Sequence, residues 1–244
     1  MEKCRVLNRD VVKYIAMFTM LLNHISVIFM QSGGFWAELF LDVGYFTAIV
    51  MCYFLVEGFQ YTHSKKSYAI RLAVFALISE IPYCLAFTEG AVIGFYGLNM
   101  LFTLLICFLI LLSIEKITNR ALKIAAVLGL ALLSVLSDWA LLAPIFTLLF
   151  VWSKDSTAKK KIAFVVSALL FGIFNFVGGI GRFSVQTNIL YALASMIGIA
   201  LGGIVILYLY NGKRMEKGMT FSKWFFYLFY PIHLLILGII RICV

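Results

Sequence analysis

The chain has 244 residues, of which 64% are hydrophobic and only 13% charged, and it carries a formal net charge of +9. A soluble domain is nearer half apolar and a quarter charged, and a folded body of this size cannot hide so much apolar side chain from water. Composition therefore excludes an ordinary soluble enzyme and makes lipid the main solvent of the outer surface.

Nine apolar runs follow one another: Val11–Gln31, Trp36–Gly58, Ala69–Phe87, Leu98–Ile114, Ala121–Leu136, Leu141–Trp152, Ile162–Ile180, Ile189–Tyr210 and Trp224–Ile240. They are long and unbroken, unlike the alternating segments of an outer-membrane barrel. The fold expected is all-α: a polytopic integral membrane bundle of nine transmembrane helices in one domain over residues 1–244. Cations test the count. With the N-terminus in the cytoplasm, the inner segments hold Lys3, Arg5, Arg9 and Lys13; Lys65, Lys66 and Arg71; Lys116, Arg120 and Lys123; Lys154, Lys159, Lys160 and Lys161; and Lys213, Arg214, Lys217 and Lys223. Eighteen of the 20 Lys and Arg then face the cytoplasm, leaving Arg182 and Arg241 outside. This alternation predicts a cytoplasmic N-terminus and an external C-terminus. It also assigns the basic charge to the inner lipid face and not to nucleic acid.

The first span is the most informative. Asp10, Lys13, Met17, Met20 and His24 step by 3, 4, 3 and 4 residues and so share one helical face. Lys13 and His24 are separated by about 16 Å of helical rise. Asp10 and Lys13 have the spacing of a helical ion pair. A packed helix with a hydrogen-bonded core histidine accounts for this stripe. A polar cavity accounts for it as well, because Asp42, Glu80, Asn99 and Asp138 all fall in or near the outer half of the membrane on the same topology. Ionisable groups at that depth face the bundle interior. A carboxylate holding one imidazole nitrogen leaves the other free as a base.

Farther along, Glu57 lies near the inner end of the second span, and Glu57-Gly58-Phe59-Gln60-Tyr61-Thr62 runs into Lys65, Lys66 and Arg71. A helix end with ordinary inner-face cations explains that stretch, as does a mouth for a phosphate-bearing ligand in which Lys13 and Arg71 are the leading contacts. Pro82 beside Glu80 predicts a kink in the third span. Ser137-Asp138-Trp139 reads as a tight turn between the short fifth and sixth spans. Tyr227, Tyr230, Pro231 and His233 mark the last span, where His233 is either a site residue or a core histidine. Trp36, Trp139 and Trp152 suit an interfacial belt, and Gly178, Gly179, Gly181, Gly198, Gly202 and Gly203 suit helix contacts and turns.

Several chemistries have no signature here. Cys4, Cys52, Cys84, Cys107 and Cys243 lack pairing or metal spacing, so neither a disulfide framework nor a metal centre is expected. Cys52, Cys84 and Cys107 read as small core residues. Val11 opens a long span with no small-residue cleavage site after it, unlike a signal peptide. There is no phosphate-cradling glycine loop, zinc-protease helix or nucleophile elbow. No repeat links the two halves, which counts against an inverted-repeat transporter.

Leu7-Asn8-Arg9-Asp10-Val11-Val12-Lys13-Tyr14-Ile15-Ala16-Met17 followed by Asn23-His24-Ile25 resembles the opening of the TraX family. Phe54-Leu55-Val56-Glu57-Gly58-Phe59 with Tyr61-Thr62, Arg71-Leu72, Ser79-Glu80-Ile81-Pro82, Leu101-Phe102-Thr103-Leu104 and Tyr227-Leu228-Phe229-Tyr230-Pro231-Ile232-His233 continue the likeness in order along nearly the whole chain. That family is named for a protein that acetylates the N-terminus of conjugative pilin. The resemblance implies an acetyl-CoA-dependent acyltransferase in the bacterial cytoplasmic membrane. Asp10-x-x-Lys13 and His24 also resemble the first-span pattern of the acyltransferase-three family, in which Arg or Lys precedes a catalytic histidine. By that likeness His24 is the essential histidine and Lys13 its cation. This chain has Lys where Arg is usual, and Asn23 where many TraX-like chains have Asp. A carboxylate partner must then come from Asp42, Glu80 or Asp138.

Together these readings predict catalysis by His24 with Glu80, Asp138 or Asp42. Acetyl-CoA would be the acyl donor, held near Arg9, Asp10, Lys13, Glu57, Tyr61 and Arg71. The acceptor is an unidentified amine or hydroxyl. No metal or nucleic acid is involved, and a homodimer stays open. The rival readings are a transporter or flippase using the same polar cavity and a membrane assembly factor without chemistry.

Overall fold

In the computed structural model, residues 5–88 and 93–243 are described, so the expectations for Lys3 and Cys4 lie outside the described residues. Ten α-helices occur among them: α1 (Arg9–Phe29), α2 (Phe35–Gly44), α3 (Phe46–Tyr61), α4 (Lys65–Phe87), α5 (Met100–Lys116), α6 (Arg120–Leu133), α7 (Leu142–Ser153), α8 (Thr157–Gly179), α9 (Val185–Ile204) and α10 (Met219–Cys243). A short 3-10 turn, Ser134–Leu136, follows α6, and a π turn, Val205–Leu209, extends α9. Helix starts are set by side chains that accept otherwise unpaired first-turn amides. Asn8, Ser64, Asn99, Asn119, Ser156 and Ser184 cap α1, α4, α5, α6, α8 and α9 in this way.

Every expected apolar run is helical, but the runs differ in length. Among the described residues, six helical segments are long and apolar enough to cross a membrane: Arg9–Phe29, Phe35–Tyr61, Lys65–Phe87, Thr157–Gly179, Val185–Leu209 and Met219–Cys243. The chain is thus a multi-pass membrane protein. Helices α5, α6 and α7 have 17, 14 and 12 residues. At about 1.5 Å per residue they rise roughly 25, 21 and 18 Å, short of a hydrocarbon layer of about 30 Å. The second expected span, Trp36–Gly58, is two helices broken at Tyr45, whose amide turns back to the Asp42 carbonyl at 3.3 Å. Lipid-facing stripes are plain: Val165, Leu169 and Ile173 of α8 are all exposed, while Phe164, Ala168 and Phe171 are buried. An apolar stripe of that kind has no place in water.

Two compact units make up the chain, Met1–Met51 with Leu149–Lys223, and Cys52–Leu148 with Trp224–Val244. In the first unit α1 packs on α2, α2 on α9, and α9 on α8. Gly198 of α9 permits the α2 contact, because a Cβ there would overlap the Asp42 carbonyl oxygen. Thr19 and Thr47 hydroxyls meet at 3.0 Å, and both donate to the Ala16 carbonyl, at 3.0 and 2.6 Å. Tyr45 sits edge-on to Phe171 of α8, 4.6 Å between centroids.

In the second unit α5 packs between α4 and α6. Phe108 takes Phe59 and Tyr68 at 5.1 and 4.9 Å, and Phe75 stacks on Tyr227 at 4.8 Å. Cys52, Cys84 and Cys107 are buried thiols, as expected, and Cys243 is exposed. Helices α4 and α10 continue through Pro82 and Pro231.

Candidate functional site

Helix α1 gathers most of the expected groups of the first unit. Along its stripe Met17 and His24 are buried, the latter 8% exposed, and Asp10, Lys13 and Met20 are half-buried. Two neighbours of His24 pin this turn to α2. The Asn23 amide donates to the Leu41 carbonyl at 2.9 Å and the Ser26 hydroxyl to the Ala37 carbonyl at 2.7 Å. Gly44 makes room for Asn23, since a Cβ at that position would overlap the Asn23 side chain. His24 is therefore fixed in rotation and depth by residues on either side of it. Asp42 is buried on α2, the helix against which this turn packs. Arg9, also buried, opens α1.

Asp10 has a role that sequence reasoning missed. Its Oδ1 accepts from the Ser222 hydroxyl at 2.7 Å and its Oδ2 from the Met215 amide at 2.9 Å. Both carboxylate oxygens thus hold the segment that leads into α10. Ser222 is fully buried. Nothing local in the sequence marks this pair, whose members are 212 positions apart.

The remaining expected groups belong to the second unit. Glu57 is half-buried on α3, and Tyr61 is exposed at that helix's end. Arg71 on α4 lies 5.7 Å from the Tyr68 ring, and its Nε is buried without a hydrogen-bond partner among the described residues. Glu80 is met by Asn99, the cap of α5. The Asn99 side-chain amide and backbone N–H donate to Glu80 Oε2 at 2.6 and 3.2 Å. Glu80 Oε1 faces the Cys84 thiol at 3.9 Å. The Tyr230 hydroxyl accepts from the Met100 amide next to this cap.

Asp138 lies in the expected tight turn, which is stitched to the start of α5. The Leu98 amide donates to the Leu136 carbonyl, the Asp138 amide to the Leu98 carbonyl, and the Thr103 hydroxyl to the Ser137 oxygen and the Asp138 carbonyl. Asp138 Oδ1 accepts from the Trp139 amide at 3.0 Å. Trp139 and Leu141 adopt left-handed backbone, φ 57° and 59°, which costs a non-glycine residue about 1–2 kcal/mol.

His233 is buried on α10 and bonded to its own helix. A carbonyl only accepts, so the 2.7 Å contact to the Phe229 oxygen places the proton on His233 Nδ1. The ring also stacks on Phe229 at 4.7 Å. Among the described residues no group of three or more His, Cys, Asp and Glu is placed to hold a metal ion.

Among curated proteins, the chain is 30% identical over 239 residues to "Probable fimbrial assembly protein FimC, serogroup H1" of Dichelobacter nodosus, covering 92% of each chain. No solved structure matches it. The family model described as "TraX protein" matches residues 8–241, from the cap of α1 into the last turn of α10, and the chain belongs to the TraX family.

Proposed function

We propose that this protein is a membrane-embedded acyltransferase that moves an acetyl group from acetyl-CoA to an amine or hydroxyl. Family membership supports the reaction class. The observation that carries the assignment is His24: a buried histidine locked to α2 by Asn23 and Ser26, on the stripe that begins with Asp10 and Lys13. A proton-transfer group has to be held in register to act, and general base catalysis contributes about 10²–10⁴-fold.

In this reading acetyl-CoA supplies a thioester with a good leaving group, and its phosphates meet Arg9 and Lys13. Glu57, Tyr61 and Arg71 are further proposed donor contacts. The orphaned Arg71 Nε suits an anion, because a buried donor without a partner costs about 1–3 kcal/mol. His24 takes the proton of the acceptor N–H or O–H as its lone pair attacks the thioester carbonyl. It returns that proton to the departing sulfur as the C–S bond breaks. The histidine carrying the acetyl group briefly is the stepwise form of the same chemistry. Asp42, on the same unit, is the proposed carboxylate that orients the ring. Glu80 and Asp138 are proposed as catalytic carboxylates of the second unit, each tested by its own substitution. The proposed setting is the bacterial cytoplasmic membrane, with the start of α1 facing the cytoplasm.

The decisive experiment measures free CoA thiol released from acetyl-CoA by purified wild type and by His24→Ala. Loss of release in the variant supports the assignment, and equal release overturns it. Because the relative is named for fimbrial assembly, the amino terminus of a fimbrial subunit is the first acceptor to supply. The same name favours a second reading, an assembly factor without chemistry. Under that reading His24→Gln, Lys13→Gln and Glu80→Gln each leave fimbriation intact.

A further inference from the structure

Residues 5–10 and 207–222 of the first unit form a clasp. Residues 5–8 lie beside the segment after the π turn. The Leu7 amide donates to the Leu209 carbonyl at 3.0 Å, the Asn211 amide to the Leu7 carbonyl at 2.9 Å, and the Arg9 amide to the Lys213 carbonyl at 2.8 Å. The Arg5 guanidinium reaches the Leu207 carbonyl at 3.4 Å. Gly212, at φ 75°, turns the chain, and the Lys213 amide is held by Asn211 Oδ1 at 2.9 Å. Asp10 closes the clasp through Met215 and Ser222.

Two consequences follow. The first-turn amides of α1 are spent: Asp10 and Val11 on the Asn8 side chain, Val12 on the Asn8 carbonyl and Arg9 on Lys213. An anion here is met by side chains and not by the helix terminus. The clasp also ties the segment that carries the exposed cations Lys213, Arg214 and Lys217 to the one that carries exposed Arg5 and leads into Arg9 and Lys13 of α1; among the described residues of these two segments the acidic ones are Asp10 and Glu216. Asp10 already has both oxygens occupied. Charge bias across a membrane asks only that cations lie on one side. It does not ask that their loop be tied down by main-chain bonds and a buried serine. A loop whose main chain is ordered beforehand leaves only its side chains to be ordered when phosphate binds, which lowers the cost of binding.

We propose that this clasp is a phosphate-binding site, with the Lys213 and Arg214 side chains as its ligands and Asp10 as the residue that positions their loop. As the seat of the donor's phosphates it rests on the acyltransferase reading; as a seat for lipid phosphate it does not.

The test uses full-length protein in nanodiscs of neutral phosphatidylcholine and the double variant Lys213→Gln/Arg214→Gln. That variant keeps the clasp, which uses only main-chain atoms of Lys213. Titration calorimetry with CoA is run at low and high salt, and thermal stabilisation by phosphatidylglycerol is measured beside it. The expected result is CoA binding about ten-fold weaker in the variant, with a flatter salt dependence. Glu216→Gln tightens binding. Asp10→Ala weakens it with Lys213 and Arg214 intact, and Asp10→Asn, which keeps one acceptor, restores part of the affinity. If neither protein binds CoA but the variant loses stabilisation by phosphatidylglycerol, the phosphate site stands with lipid as its source and the donor reading falls. If the variant matches wild type toward both CoA and phosphatidylglycerol, the site is overturned.

Discussion

Asn99 bonds Glu80 twice through one oxygen, with the side-chain amide at 2.6 Å and the backbone N–H at 3.2 Å from Oε2. The same side chain donates to the Ala76 carbonyl at 2.8 Å and accepts from the Leu101 amide at 3.0 Å as the cap of α5. One fully buried residue thus starts a helix and fixes a carboxylate. The two roles separate by substitution. Asn99→Ser keeps a capping oxygen and loses the donor to Glu80; Asn99→Ala loses both. Loss of a cap costs about 1 kcal/mol, and a buried hydrogen bond to a charged group about 1.5–3 kcal/mol. Thermal melts in detergent are expected to fall in the order wild type, Asn99→Ser, Asn99→Ala. Indistinguishable melts for the two variants would show that the cap contributes nothing.

What was legible in the sequence is what local chemistry encodes. Each of the apolar runs read from the sequence is helical. The stripe from Asp10 to His24 follows from helical spacing, and the turn at Asp138 from its polar residues between two apolar runs. The rest depends on distant partners. The break at Tyr45 sits where Asn23 of α1 and Gly198 of α9 press on α2, and neither is near it in sequence. The bond from Ser222 to Asp10 has no local mark, because the two lie 212 positions apart. Trp139 and Leu141 hold left-handed backbone that normally calls for glycine or asparagine, so no residue preference announces it.

Gly198 and Gly129 should respond in opposite directions to alanine. A Cβ at Gly198 would overlap the Asp42 carbonyl oxygen and come within 2.9 Å of the Phe46 amide, both backbone atoms that cannot swing aside. Overpacking of this kind costs about 1–3 kcal/mol. Gly129, inside α6, has nothing within 4 Å of its would-be Cβ, so alanine there gains up to about 1 kcal/mol of helix propensity. Gly198→Ala is expected to melt below wild type and Gly129→Ala at or above it. A Gly198→Ala protein as stable as wild type would contradict the close approach of α9 and α2.

Glu115, beyond the apolar run Leu98–Ile114, forms an exposed ion pair with Lys65. The hydrogen bond from the Lys65 ammonium holds its carboxyl below the ordinary carboxylate range. The sign follows from linkage. A carboxyl whose folded pKa is depressed adds its stabilisation above the unfolded value and loses it as pH falls through the folded value. Both groups are solvated and screened, so the effect is small. Glu115→Gln should lower the melting temperature slightly at neutral pH and low salt. The difference should vanish below the carboxylate range and in high salt. A gap that persists in acid would assign the effect to packing.

Asn23 tests how the histidine turn is held. Its amide nitrogen donates to the Leu41 carbonyl at 2.9 Å, and Gly44 leaves just enough room for the side chain. Aspartate has the same shape but no donor, so Asn23→Asp sets a carboxylate oxygen against a carbonyl oxygen. Asn23→Ala only removes the bond. A lost hydrogen bond costs about 1 kcal/mol and two facing acceptors in a half-buried contact about 1–3 kcal/mol more. Asn23→Asp is therefore expected to melt lower than Asn23→Ala, and both lower than wild type. Because the same contact sets the depth and rotation of His24, CoA release from acetyl-CoA should fall in that order, while Gly129→Ala, whose added methyl meets nothing within 4 Å, leaves it unchanged. An Asn23→Asp protein with higher activity than wild type would show instead that a carboxylate at this position serves the histidine, and that the bond to Leu41 is dispensable.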